Sequence, residues 1–165
     1  MWKHPWTYKE GLVIGAGLVL TGILLQLSVG AFSTGFLQFP VNAFTGILYL
    51  LIISILSIQS GKNKIIRWFS GLEASITSIS VFLVLVLIMG LTRQSAAPDN
   101  FGLLGVLGFN NMLSSWSFVL IFLYMMSVLG LATLRRLKYF RLKKDIPFML
   151  NHIGLFLTLL AAVLG

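Results

Sequence analysis

Of the two histidines in this chain, His152 stands inside an apolar run, Ile146 to Leu164, seven positions beyond Asp145. An imidazole away from water loses hydration unless something engages its ring nitrogens. At membrane depth it therefore serves as a proton relay, as a hydrogen-bonded helix contact or as a metal ligand. Residue chemistry alone leaves all three uses open. At about 1.5 Å of rise per residue the ring lies roughly 10 Å past Asp145, too deep to reach water easily. Phe148 and Met149 precede it by about one turn, and Leu155 and Phe156 follow it. Together they form a predicted apolar wall that suits either the face of a porphyrin or plain helix packing. His4, before Pro5-Trp6, is expected at the membrane surface. Bis-histidine iron ligation would thus need a second ligand from a partner or a second copy.

Other chemistries find no residues. The chain has no cysteine, which excludes thiolate metal sites, disulfides and a covalent CxxCH haem acceptor. Glu10, Glu73, Asp99 and Asp145 fall at or beyond the ends of the apolar runs, so no acid/base couple is predicted inside one. HExxH, GxSxG and Walker patterns are absent, and no catalytic residue is assigned.

The elements that hold His152 follow from composition. With 58% hydrophobic and 10% charged residues over 165 positions, the chain is too apolar for a soluble domain and belongs in a lipid bilayer. Five runs are long enough to cross about 30 Å of hydrocarbon. They are predicted at Gly11 to Phe32, Val41 to Ile58, Leu72 to Thr92, Trp116 to Leu134 and Ile146 to Leu164, giving an all-α integral membrane protein. The net charge of +8 does not signal nucleic acid, because its distribution has a simpler cause. Lys3 and Lys9 precede the first span; Lys62, Lys64 and Arg67 separate the second and third; Arg135, Arg136, Lys138, Arg141, Lys143 and Lys144 separate the fourth and fifth. Only Arg93 falls on the other side, so the positive-inside rule predicts a cytoplasmic N-terminus and an extracytoplasmic Gly165. The first run is too long for a signal-peptide core and is read as a retained anchor.

Local signals refine this outline. Ser70-Gly-Leu-Glu73 matches a capping box for the third span, and Asp145 before Ile146-Pro147 is a favourable start for the fifth. The connection Arg93 to Ser115 contains the apolar piece Phe101 to Phe109, expected to be an interfacial segment against helix ends, the lining of a ligand cleft or a flexible loop. Gly11 and Gly15 form GxxxG, and Gly154, Thr158 and Ala162 repeat a small residue at every fourth position, both patterns that favour close helix contact. Gln26 and Thr21 are expected to form interhelical hydrogen bonds. Trp2, Trp6, Tyr8, Trp68, Trp116 and Tyr139 are expected in an aromatic belt, and the basic run Arg135 to Lys144 near anionic headgroups.

Three stretches carry a resemblance to a known family. They are Leu72-Glu-Ala-Ser-Ile-Thr-Ser-Ile through Gly90-Leu-Thr-Arg-Gln94; Leu107-Gly-Phe through Ser114-Ser-Trp-Ser-Phe118 with the basic end Arg135-Arg136-Leu137; and His152-Ile-Gly-Leu-Phe-Leu-Thr-Leu-Leu-Ala-Ala-Val-Leu-Gly165. In order and type, the region 72–165 resembles the membrane part of the ResB family, the partner of CcsA in ResB/CcsA (CcsBA) cytochrome c biogenesis. Region 1–71 then reads as an added N-terminal hairpin with its cytoplasmic loop. The resemblance implies that His152 is an axial ligand of haem b, held in the bacterial inner (cytoplasmic) membrane for export and attachment to apocytochrome c. It implies a CcsA-type membrane partner and a synthase activity that belongs to the complex rather than to this chain alone. It gives no catalytic role to Ser115, Trp116 or Phe118, which are read as packing or interface markers. The competing readings are a b-type cytochrome subunit for electron transfer, a cofactor-free transporter subunit and a structural membrane scaffold.

Overall fold

The computed structural model describes residues 4–33, 35, 37–95 and 102–165, except for the side chains of 142–144. Trp2, Lys3, Asp99 and Phe101, and the side chains of Lys143 and Lys144, lie outside the described residues. The described chain is helical, without strands: α1 (Tyr8–Val29), α2 (Val41–Gln59), α3 (Lys64–Phe69), α4 (Leu72–Leu91), α5 (Gly102–Val106), a 3₁₀ turn (Phe109–Ser114), α6 (Trp116–Leu137) and α7 (Leu142–Leu164). Five of these helices, α1, α2, α4, α6 and α7, are long and apolar enough to cross a membrane.

Helix starts and stops have identifiable causes, and several differ from the sequence expectation. α1 begins three residues before Gly11 because Thr7 and Glu10 make a capping box: the Thr7 amide donates to Glu10 Oε2 at 2.8 Å. It closes at Gly30, whose φ of 85° suits a residue without Cβ and whose amide reaches Gln26 O. Ser70 does not cap α4. An additional short helix, α3, capped by Asn63 Oδ1 on the Ile65 amide, ends at Ser70, and the Ser70 hydroxyl donates to Arg67 O. α3 also turns Trp68 inward, to 7% exposure, so this tryptophan is core rather than belt.

The chain forms two compact units that interleave in sequence, Met1–Thr34 with Ile76–Met125, and Gly35–Ser75 with Met126–Gly165. In the first, glycines of α1 allow close approach. A Cβ at Gly11 would stand 2.3 Å from Thr77 Oγ1, and one at Gly15 2.7 Å from Val81 Cγ2, so this GxxxG packs on α4. At Gly22 a Cβ would meet the backbone nitrogen of Ser117 at 2.4 Å, and the Ser117 hydroxyl donates to Val19 O at 3.0 Å. Phe82 packs against Phe118 and Phe122 with ring centroids 5.4 and 6.0 Å apart.

The connection after α4 is ordered by polar side chains in its described part. Gln94 Nε2 donates to Phe109 O at 2.9 Å while Gln94 Oε1 accepts from the Met112 amide at 3.0 Å. The Trp116 indole donates to Gly30 O at 2.9 Å, Gln26 Oε1 accepts from the Trp116 amide at 3.4 Å, and the buried Ser115 hydroxyl accepts from the Phe118 amide at 3.2 Å. Gln26 thus bonds outside its own helix as expected, whereas Thr21 bonds Gly17 O within α1. These contacts give the Ser-x-Trp-x-Phe stretch a packing role.

In the second unit, Ile53, Met126, Val128, Leu131, Met149 and Phe156 form the core. Gly130 leaves room for Phe156, whose ring would lie 2.9 Å from a Cβ there. Tyr49 stacks on Phe156 at 6.4 Å, and its hydroxyl is 3.1 Å from Ser127 Oγ. Asn42 Nδ2 donates to Leu164 O at 2.7 Å, closing the C-terminal end of α7 against the start of α2.

Gly22→Ala is expected to destabilise the protein by about 1–3 kcal/mol, because the added methyl meets backbone that cannot rotate away. Gly17→Ala, where a Cβ meets nothing within 4 Å, is expected to change stability by less than about 0.5 kcal/mol. Thermal unfolding of both variants in one detergent checks the contrast.

Candidate functional site around His152

α7 begins at Leu142 rather than Ile146, with Arg141 as its N-cap. The cause is Asp145, which sits in the first turn and reaches back, its Oδ2 accepting from the Arg141 amide at 2.8 Å. Its Oδ1 takes Nε and Nη2 of Arg136 at 3.1 and 2.5 Å, joining the end of α6 to the start of α7. A carboxylate in a helix's first turn also faces favourable backbone dipoles. The pair is lopsided in burial: the side chain is 3% exposed in Asp145 and 51% in Arg136. Because α7 starts at Leu142, Pro147 lies inside the helix rather than in its first turn, and its missing amide removes one bond of the helical ladder.

From this anchor a column of groups leads to His152. The Arg136 guanidinium lies 5.7 Å from the centroid of the Phe148 ring, within cation–π range. Phe148 in turn stacks on the His152 imidazole, with centroids 3.7 Å apart and planes inclined by 22°. His152 Nδ1 is 3.0 Å from the Phe148 carbonyl oxygen, one turn back on the same helix. A carbonyl oxygen can only accept, so Nδ1 carries the proton. Nε2 then holds the lone pair, and no hydrogen-bond partner engages it among the described residues. This is the arrangement by which a ligating histidine has its tautomer and ring orientation fixed through its other nitrogen.

The wall predicted around His152 separates into two roles. Phe148 faces the imidazole, and Leu155 is exposed, but Met149 and Phe156 point into the core of the second unit. At 100° per residue Met149, Phe156, Asp145 and His152 all fall within about 60° of one another, with Met149 and His152 at the two edges of that side, so spacing alone does not separate them. His4 belongs to the first unit, where it stacks on Trp6 at 5.0 Å. Among the described residues no group of three histidine or acidic side chains is gathered as a metal cluster. An open apolar groove between α1 and α4, lined by Leu12, Ala16, Val19, Ile23, Val81 and Val84, also lies in the first unit and offers no ligating side chain.

The cationic run has internal work that sequence reasoning missed. Arg135 Nη1 donates to Arg67 O at 3.2 Å and to Ser70 O at 3.4 Å, at the end of α3. Lys138 Nζ donates to Ser57 O, and lies 3.4 Å from Ser60 Oγ, at the end of α2. Cations at helix C-termini satisfy bare carbonyls and complement the helix dipole. Lys62, Lys64 and Arg141 remain exposed.

No family model, curated protein or solved structure matches the chain.

Arg136→Ala is expected to destabilise the protein by about 2 kcal/mol, because it removes a charged partner from a buried carboxylate. Asp145→Asn, which keeps an acceptor for the Arg141 amide, is expected to cost about 1 kcal/mol. The double variant is expected to be more stable than Arg136→Ala alone, a non-additivity readable by denaturant unfolding in detergent.

Proposed function

We propose that this multi-pass membrane protein is the haem-holding membrane module of a ResB/CcsA-type cytochrome c biogenesis system, with His152 Nε2 as one axial ligand of haem b. The observation that carries the reading is the bond from Nδ1 to the Phe148 carbonyl, which leaves a fixed Nε2 lone pair on the half-buried flank of a membrane-length helix. Haem would supply an iron whose axial position accepts that lone pair and a macrocycle soluble in the bilayer. The protein's own contributions are the tautomer, the ring plane held by Phe148, and the Arg136–Asp145 anchor that fixes where α7 starts. With one imidazole in this unit, the second axial ligand comes from outside it, and a CcsA-type membrane protein is the proposed donor. Haem would be held in the bacterial inner membrane, with the N-terminus cytoplasmic, and passed to the outer face for attachment to apocytochrome c. The attachment reaction, which joins haem to cysteine thiols of apocytochrome c, is assigned to the complex rather than to this chain alone.

The test is the reduced-minus-oxidised optical spectrum of detergent-purified protein, with and without a co-expressed CcsA-type partner, for wild type and His152→Ala. The expected result is a b-type Soret and α band in the wild type that is lost in His152→Ala while the variant still unfolds cooperatively, at a midpoint lowered by the loss of haem. Folded, haem-supplied wild type that stays colourless in both preparations overturns the assignment and leaves His152 as a helix contact.

A further inference from the structure

Asn151 is exposed on α7 and has no hydrogen-bond partner among the described residues. It lies six residues beyond Asp145, so its amide sits about 9 Å along the span. Its side chain is too short to reach the headgroup region from there. Hydroxyls on the membrane-length helices, α7 included, avoid this problem locally: Thr21, Ser54, Ser80 and Thr158 donate to carbonyls of their own helices at 2.8, 2.7, 2.8 and 2.8 Å. Asn151 makes no such bond, and a bare primary amide in hydrocarbon costs several kcal/mol. A polar group on another polypeptide is what removes that penalty.

We infer that Asn151 pairs with Asn151 of a second copy of this chain, α7 against α7. Two copies in one membrane share one orientation, so their α7 helices run parallel and their Asn151 residues meet at equal depth. A carboxamide is both donor and acceptor, which makes it complementary to itself across a two-fold axis. The neighbourhood permits the approach: a Cβ at Gly154, on the same side of α7, would meet nothing within 4 Å. Its face is also separate from His152, which is offset by one residue, or about 100°, toward the packed side of the helix. Homodimerisation through Asn151 thus stands independently of haem ligation.

The absence of cysteine makes crosslinking free of background. Thr158→Cys lies about 20° from the Asn151 direction two turns on, while Ile153→Cys lies about 160° away. In native membranes treated with a disulfide-forming oxidant, Thr158→Cys is expected to give a homodimer band and Ile153→Cys none. Adding Asn151→Leu, which suits lipid and preserves folding, is expected to lower crosslinking about tenfold, the effect of one interhelical amide contact. Adding Asn151→Gln is expected to restore it. Equal crosslinking of Thr158→Cys with Asn or Leu at position 151, or a Thr158→Cys product whose mass is that of a different protein, overturns the inference.

Discussion

A carbonyl or amide left bare at a helix end inside hydrocarbon costs several kcal/mol, because no water is there to replace the missing partner. This chain meets that constraint with side chains drawn from far along the sequence. Arg135 and Lys138 close the ends of α3 and α2, Asn42 closes the end of α7, and the Trp116 indole takes the carbonyl of Gly30 where α1 stops. Each bond fixes where one helix stops relative to another within its unit. Helix register and helix-end satisfaction are therefore one problem here, solved by the same residues.

The constraint also explains why a run of cations that sets topology does more than sit near lipid headgroups. Arg136 is paired with Asp145, and that pair moves the start of α7 back to Leu142. Arg136 also lies over the Phe148 ring, which stacks on His152, so the imidazole's environment is tied to a salt bridge seven residues away. Phe148 acts twice, through its ring on the imidazole and through its carbonyl on Nδ1. Orientation by a neighbour on the same helix keeps Nε2 open whatever lies beside α7.

α7 presents two different polar groups without complete partners among the described residues, the Nε2 edge of His152 and the amide of Asn151. They point in directions about 100° apart. A helix buried on only one side has room for both. The membrane-length part of α7 is mostly exposed, whereas half of that in α6 is buried.

Sequence alone determined the five membrane-length helices, because hydrophobic length is a local property and the bilayer thickness sets the threshold. It also located His152 within a membrane-length helix and the close packing of Gly11 and Gly15, both of which follow from residue type and spacing. Tertiary structure decided what those signals were used for. Ser70 and Glu73 have the spacing of a capping box, yet α3 claims Ser70, while Thr7 and Glu10, with the same spacing, do cap α1. Met149 and Phe156 look like His152's neighbours by spacing but turn into the core, and the Gly154 side of α7 lies open rather than packed. Spacing places residues along and around a helix, but which partner a face or a polar group finds depends on what the rest of the chain brings beside it.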